Sequence, residues 1–232
     1  MKKILCILLP GLDGTGKFFK EFTSEIACYA DPVLISYPQD RLLSYQGLVD
    51  YVNTKLPIDD EYFIVAESFS GPIAISIASQ HPKQLKCIIL VATFASCPFP
   101  KLSLLALNIL PFFIKFPVPK RVISFFLLND QWQEMAKTVQ NTIRTISRDA
   151  LLCRIRNVLT CDVTEKLQNI SIPVLAIQAK QDRLIPDSCT NSMSKHLPNL
   201  RVKSIDAPHF VLQTDSQAVS EKLIKPFLQE IL

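Results

Sequence analysis

The sequence predicts an α/β protein: a mostly parallel sheet of about six strands, with helices on both faces and a helical insert. Three observations carry this expectation. Short apolar, β-branched runs alternate with amphipathic segments, the rhythm of strands covered on both sides. Four of the five glycines fall in just two strand-to-helix turns. Between residues 98 and 171 the strand signal stops and only helical patterns remain. At 232 residues, 48% hydrophobic and 20% charged, the chain has material for one large core or a core with an insert. It is too apolar for a disordered or collagen-like polymer.

Taken in order, Lys3–Leu9 reads as the first strand. Lys2 and Lys3 ahead of Ile4–Leu9 imitate a secretory leader, but six apolar residues followed at once by Pro10-Gly11 make too short a hydrophobic region. A glycine-rich turn leads into a helix with Phe18, Phe19, Phe22 and Ile26 on one face. Val33–Ser36 is a second strand, and Ser44 stands at the N-cap of a helix carrying Leu48, Val49, Val52 and Leu56. Tyr62–Ala66 is a third strand, running into a helix over Gly71–Ser79 that stops before His81-Pro82, and Lys86–Ala92 is a fourth.

The insert offers helices at Leu102–Leu110, Arg121–Leu128, Trp132–Ile146 and Ala150–Leu159, punctuated by Pro111, Pro117 and Pro119. The strand rhythm resumes with Pro173–Ala179, a helix at Asp187–Leu197, a strand at Leu200–Ile205 and a closing helix from Ser216. Residues 1–97 and 172–232 thus form the expected core, and 98–171 the insert.

Seven cysteines, an odd number without a CxxC or Cys/His cluster, argue against a disulfide framework and against a zinc site, and fit a reducing compartment. The most apolar stretch, Leu102–Ile114, is thirteen residues long, holds Asn108 and Pro111, and is too short to span a bilayer. The expectation is a soluble, cytoplasmic protein.

Both glycine-bearing turns fall at the carboxyl ends of parallel strands, where open α/β sheets bind ligands. The second reads Val65-Ala66-Glu67-Ser68-Phe69-Ser70-Gly71. This is the small-x-Ser-x-small pattern of a sharp strand–turn–helix bend that exposes a serine, with Ala66 and Ser70 standing where glycines are usual. On the motif alone Ser68 reads equally well as a helix cap, and the surroundings decide.

A serine nucleophile needs a base, and the base needs an orienting carboxylate. Of the three histidines, His81 and His196 end helices, and only His209, in Asp206-Ala207-Pro208-His209-Phe210, follows the last strand on the same sheet edge. The loop after the fifth strand holds Asp182 on that edge. Asp206, three residues before His209, is a second candidate for the acid. The order Ser68, Asp182, His209 is nucleophile, acid, base.

These pieces resemble the α/β-hydrolase superfamily over essentially the whole chain: Leu9-Pro10-Gly11-Leu12-Asp13-Gly14, the Ser68 bend, the helical insert, and the Asp182 and His209 loops. The resemblance implies an α/β-hydrolase fold whose insert caps the active site. It implies catalysis of acyl transfer by Ser68, Asp182 and His209, and an oxyanion hole formed by the backbone N–H groups of Leu12 and Phe69. The departures are Pro10 where many members have His, the Ala66/Ser70 bend, and no counterpart to the family's first two strands. No metal or cofactor is required by this chemistry.

One competing motif needs weighing. Gly11-Leu12-Asp13-Gly14-Thr15-Gly16-Lys17 fits the GxxxxGK phosphate loop, but Phe18 follows where Ser or Thr must ligate magnesium.

The insert also hints at substrate. Seven of the fourteen phenylalanines lie between Phe94 and Phe126, enough for a core with a surplus to line an apolar acyl groove. From residue 100 to 160 there are nine basic and three acidic residues, a net +6 against +4 for the whole chain. Such a run is commonly a solvated face. Its sharper reading is docking of an acidic partner, such as an acyl carrier protein or an anionic lipid surface, rather than nucleic acid. Arg144 and Arg148 share a face at helical spacing four, and with Arg154 and Arg156 they are the candidate substrate- or partner-binding residues.

A basic, apolar-lined cap is similar to that of carrier-protein methyl ester esterases. The expected activity is hydrolysis of a carboxylic ester, with a thioester as a variant. An acyltransferase using the same triad and a non-catalytic ligand-binding member of the fold are the alternatives.

Overall fold

The computed structural model describes residues 3–101, 119–128 and 133–232. Six parallel strands form one sheet in the order β2-β1-β3-β4-β5-β6: β1 Leu5–Leu9, β2 Asp31–Leu34, β3 Tyr62–Glu67, β4 Leu85–Val91, β5 Val174–Ala179 and β6 Leu200–Ile205. Each lies within a few residues of its sequence expectation. The central strands are buried on both faces, every residue of β3 included. The outer strands are not: β2 and β6 are largely exposed, and they carry Pro32 and the charged Arg201 and Lys203, residues that discourage further pairing at a sheet edge.

Alternation along the strands splits the core in two. Ile7, Leu9, Ile64, Ala66, Ile88 and Leu90 face one side, against the helices Tyr45–Asn53 and Gly71–Ala78. Cys6, Leu8, Phe63, Val65, Ile89 and Val91 face the other, against the helices Lys20–Ile26 and Lys225–Ile231. The Ser44 hydroxyl caps the Tyr45–Asn53 helix by accepting from Gly47 N at 3.1 Å.

Three helical expectations change. Phe18 does not share the buried face of Phe19, Phe22 and Ile26. It lies in a short 3₁₀ turn, Lys17–Phe19, and its ring meets Phe210 at 5.5 Å. The closing helix is interrupted by a π-helical turn, Val219–Ile224. Among the described residues of the insert, the helices are Lys120–Ile123 running into a π-helical turn Ser124–Leu128, Gln133–Thr145, Arg148–Leu159 and Thr164–Leu167, whereas the expected Leu102–Leu110 helix lies outside the described residues. Ser147 breaks the chain between Gln133–Thr145 and Arg148–Leu159 and caps the latter through Ala150 N at 3.1 Å. Arg144 and Arg148 therefore flank a break and do not share one helix face. Among the described residues no helix is long and apolar enough to cross a membrane.

The strand order reverses at β1. From β1 the chain passes to β2 on one side, and then returns to β3 on the other. The helices that follow β1 and β3 accordingly pack on opposite faces, which opens a crevice between the two loops at the carboxyl edge. A Cβ built on Gly11, in the first loop, would stand 4.0 Å from Ser68 Cβ in the second.

At the start of its helix Gly71 has no room for a side chain, because a Cβ would overlap Thr93 at the end of β4. Gly71→Ala should therefore cost about 1–3 kcal/mol, as overpacking does, read as a lower denaturant midpoint. The double variant G71A/T93A should recover part of that loss; no recovery would place the cost elsewhere.

Candidate active site

β3 ends in a bend at Ser68, whose φ of 50° is left-handed and strained for a residue other than glycine. Its surroundings hold it there. Thr93 donates its hydroxyl to the Ser68 carbonyl, and Tyr45 donates to the Phe69 carbonyl at 3.0 Å. Ser70 is more than a small residue: its hydroxyl donates to the Pro10 carbonyl and also bonds Tyr37 Oη, tying the bend to the loop after β1.

The structure brings Ser68, His209 and Asp182 into one chain of contacts. His209 Nδ1 lies 2.7 Å from Asp182 Oδ2 and His209 Nε2 lies 2.9 Å from Ser68 Oγ. A carboxylate only accepts, so Nδ1–H donates to Asp182 and Nε2 is left to accept from the Ser68 hydroxyl. The second oxygen of Asp182 accepts from Leu184 N at 2.7 Å and Ile185 N at 2.8 Å, which fixes the carboxylate plane. Both side chains are almost wholly buried, His209 at 4% and Asp182 at 2% exposure. Asp206, the competing acid, instead accepts from Gln181 Nε2 at 2.8 Å on the surface.

The loop after β1 forms a tight turn in which Gly14 N donates to Gly11 O at 3.0 Å. Its glycines do not cradle a phosphate. At Gly14, φ 66°, a Cβ would fall 2.7 Å from Arg154 Nη1, and at Gly16, φ 69°, it would collide with Leu34. The interior of the loop is filled by the Asp13 carboxylate, which accepts from Thr15 N at 2.8 Å, while Lys17 is exposed. Phe69 N–H lies in the first turn of the Ser68–Ser70 3₁₀ helix, where N–H groups lack intrahelical acceptors.

Two functional neighbours were not read from the sequence as such. Glu67, 5% exposed, sits beneath the site. Its Oε2 accepts from Gln213 Nε2 at 3.2 Å, and Oε1 is buried without a partner among the described residues. Burial pushes its carboxyl up to about 7, with His209 and the Gln213 amide opposing and Asp13 adding to the rise. The signal was present, since a charged residue closes an otherwise apolar strand.

Arg154 corrects an expectation. It is 3% exposed and donates to backbone carbonyls, so it cannot belong to an outward docking face. Leu151, Arg154, Ile155 and Val158 form an i, i+3, i+4, i+7 stripe that already placed it inward. Arg144, Arg148 and Arg156 are exposed.

Ser68 and His209 open onto a cavity of about 250 Å³. Its walls are mostly apolar, with Phe94, Val139, Ile143, Leu151, Ile155 and Leu184 among them, and the acidic side chains in its lining are Asp13 and Glu67. The Gln133–Thr145 and Arg148–Leu159 helices contribute part of these walls.

Residues 39–211 match the family described as Hydrolase_4, serine aminopeptidase, S33. The chain belongs to this family of α/β-hydrolases. A stretch of 92 residues is 29% identical to a Caulobacter segnis protein assigned as the carbamate hydrolase RutD, spanning 39% of this chain and 34% of that relative. Among solved structures, a hydrolase from Oleispira antarctica superposes with a TM-score of 0.81 at 16% identity, covering 99% of this chain and 91% of that one. The enol-lactonase of Burkholderia xenovorans gives 0.80 at 12% identity, covering 99% and 92%. At such identities these structures establish the α/β-hydrolase fold alone.

Glu67 gives a signed test. Its native value near 7 exceeds the ordinary 4.5, so the folded state keeps a proton that the unfolded chain releases first. Stability therefore falls as pH rises across that window and stays lowered above it. Relative to the parent, Glu67→Gln should gain stability from pH 4.5 upward, reaching about 3 kcal/mol above neutrality. Denaturant melts across that range check it, and a difference independent of pH would sink the assignment.

Proposed function

We propose that this protein hydrolyses carboxylic esters, thioesters included, through an acyl-enzyme on Ser68. The carrying observation is the Ser68–His209–Asp182 chain at 2.9 and 2.7 Å opening onto an apolar cavity. In this reading His209 Nε2 takes the Ser68 proton as Oγ attacks the carbonyl carbon. Asp182 holds the imidazole tautomer and stabilises its charge. The N–H groups of Leu12 and Phe69 meet the developing oxyanion, where each donor contributes about 3 kcal/mol. His209 then protonates the leaving alcohol or thiol, and a water deprotonated by His209 releases the acid and restores Ser68.

Residues 98–171 act as the cap, and the acyl chain lies under it. A cavity of about 250 Å³ stands at the small end of ligand pockets, which favours short to medium apolar chains. A fluorophosphonate probe should label Ser68, as located by mass spectrometry, and Ser68→Ala should abolish both labelling and ester turnover. Across p-nitrophenyl esters, kcat/KM should peak at short or medium acyl length. A folded sample that takes no label would overturn the enzyme reading in favour of ligand binding.

The exposed Arg144, Arg148 and Arg156, in a segment of net +6, support a carrier-linked substrate, such as the methyl ester of an acyl chain on an acidic acyl carrier protein. Charge attraction of this kind acts on the encounter rate and is screened by salt. The triple reversal R144E/R148E/R156E should lower kcat/KM for a carrier-linked ester at least tenfold at low salt and leave a small p-nitrophenyl ester unchanged. Equal effects on both substrates would exclude docking.

A further inference from the structure

We propose that Arg154 is a positioning residue that sets the aim of the Leu12 N–H; the inference rests on the oxyanion role given to that group above. The loop after β1 holds glycine at residues 11, 14 and 16, so its peptide units are free to rotate unless something outside it pins them. A rotation of the Gly11–Leu12 peptide would turn the Leu12 N–H away from the oxygen of the carbonyl that Ser68 attacks. That peptide's own carbonyl, Gly11 O, is held by Gly14 N, and Arg154 acts one peptide removed, by holding Asp13 O, the carbonyl of the peptide that carries the Gly14 N–H.

Gly11 O accepts from Gly14 N at 3.0 Å and Gly14 O accepts from Tyr37 N at 2.7 Å. The two carbonyls between them are both held by one guanidinium: Arg154 Nη1 donates to Leu12 O at 3.2 Å and to Asp13 O at 2.5 Å. Every carbonyl from Gly11 to Gly14 is thus engaged.

Arg154 is itself fixed. Its Nη2 donates to Pro38 O at 3.0 Å, its guanidinium lies over the Tyr37 ring at 6.0 Å, and the Asp13 carboxylate provides the opposing charge. Tyr37 in turn bonds Ser70, so the same unit touches the bend that carries Ser68. The planar fork of an arginine can hold two carbonyls from one side, which a lysine ammonium does with less directional control. A charge 97% removed from solvent and spent on main-chain oxygens of the catalytic loop is costly unless its geometry is used.

The assignment also explains Gly14, since a Cβ there would strike Nη1. It joins the cap to the chemistry as well. The helix bearing Arg154 presents Leu151, Ile155 and Val158 to the acyl cavity.

The test compares the parent with Arg154→Gln and Arg154→Lys on a p-nitrophenyl ester and with a boronic acid that mimics the tetrahedral oxyanion. Arg154→Gln should lower kcat about 100-fold, the size of losing one oxyanion donor, with KM changed less than threefold. The boronic acid should bind weaker by a similar factor, and the pH profile of kcat/KM should keep its shape. Arg154→Lys should fall between the two. Should the glutamine variant not fold, the lysine variant carries the same kcat-to-KM split.

A folded variant with unchanged kcat and boronic acid affinity would overturn the proposal, and so would a loss confined to KM. An inert parent enzyme would instead remove the esterase reading itself, so the two failures are separable.

Discussion

The fold's functional edge depends on one strained turn, the left-handed serine between β3 and its helix. A residue other than glycine in that conformation costs of the order of 1–3 kcal/mol, and it persists because its neighbours leave no alternative. Thr93 holds the Ser68 carbonyl, Tyr45 the Phe69 carbonyl, and Ser70 the Pro10 carbonyl. Gly71 clears Thr93 only because it lacks a Cβ. The consequence is directional: Ser68 Oγ stands off the sheet edge toward a histidine delivered 141 residues later. The topological reversal beside β1 supplies the crevice, and the bend supplies the group that points into it.

Three carboxyls withdrawn wholly or partly from solvent lie on this edge, and their surroundings separate them. Asp182 receives two backbone N–H groups and the His209 ring. Asp13 receives Thr15 and faces Arg154, although burial still pushes its carboxyl up. Glu67 receives one amide, its other oxygen has no partner among the described residues, and burial raises its carboxyl to about 7. Below that raised value Glu67 is protonated and adds no negative charge beside Ser68 and His209. The site thus fixes one carboxylate on the imidazole, sets a second against Arg154, and leaves Glu67 uncharged below its raised value.

Much of the fold and the three principal side chains were legible in the sequence, because parallel strands advertise themselves as apolar runs and the chemistry must sit where they end. Few histidines and few glycines made the search short. Asp206 could be set aside only in three dimensions, since sequence proximity to His209 does not reveal that its carboxylate turns to Gln181. The Arg144–Arg148 face failed because Ser147 offers a helix cap, a stronger local signal than the spacing of two charges. Arg154 was misplaced because charge was counted before periodicity; its stripe with Leu151, Ile155 and Val158 pointed inward. The Tyr37–Ser70–Pro10 link joins residues from three separate segments, and no local pattern announces it.

The helices over the cavity show how one segment meets two demands. Gln133–Thr145 turns Val139 and Ile143 to the cavity and leaves Lys137 and Arg144 outside. Arg148–Leu159 turns Leu151, Ile155 and Val158 inward and leaves Arg148 and Arg156 outside. An apolar lining and a basic exterior are therefore two faces of the same amphipathic pair. Arg154 departs from that partition, carrying its charge inward to main-chain carbonyls instead of outward to solvent or a partner. A charge is retained in such a place when it holds geometry that apolar packing cannot, here the carbonyls of a glycine-rich turn. The apolar lining of the cavity and the alignment of the loop beside Ser68 then depend on the same twelve-residue helix.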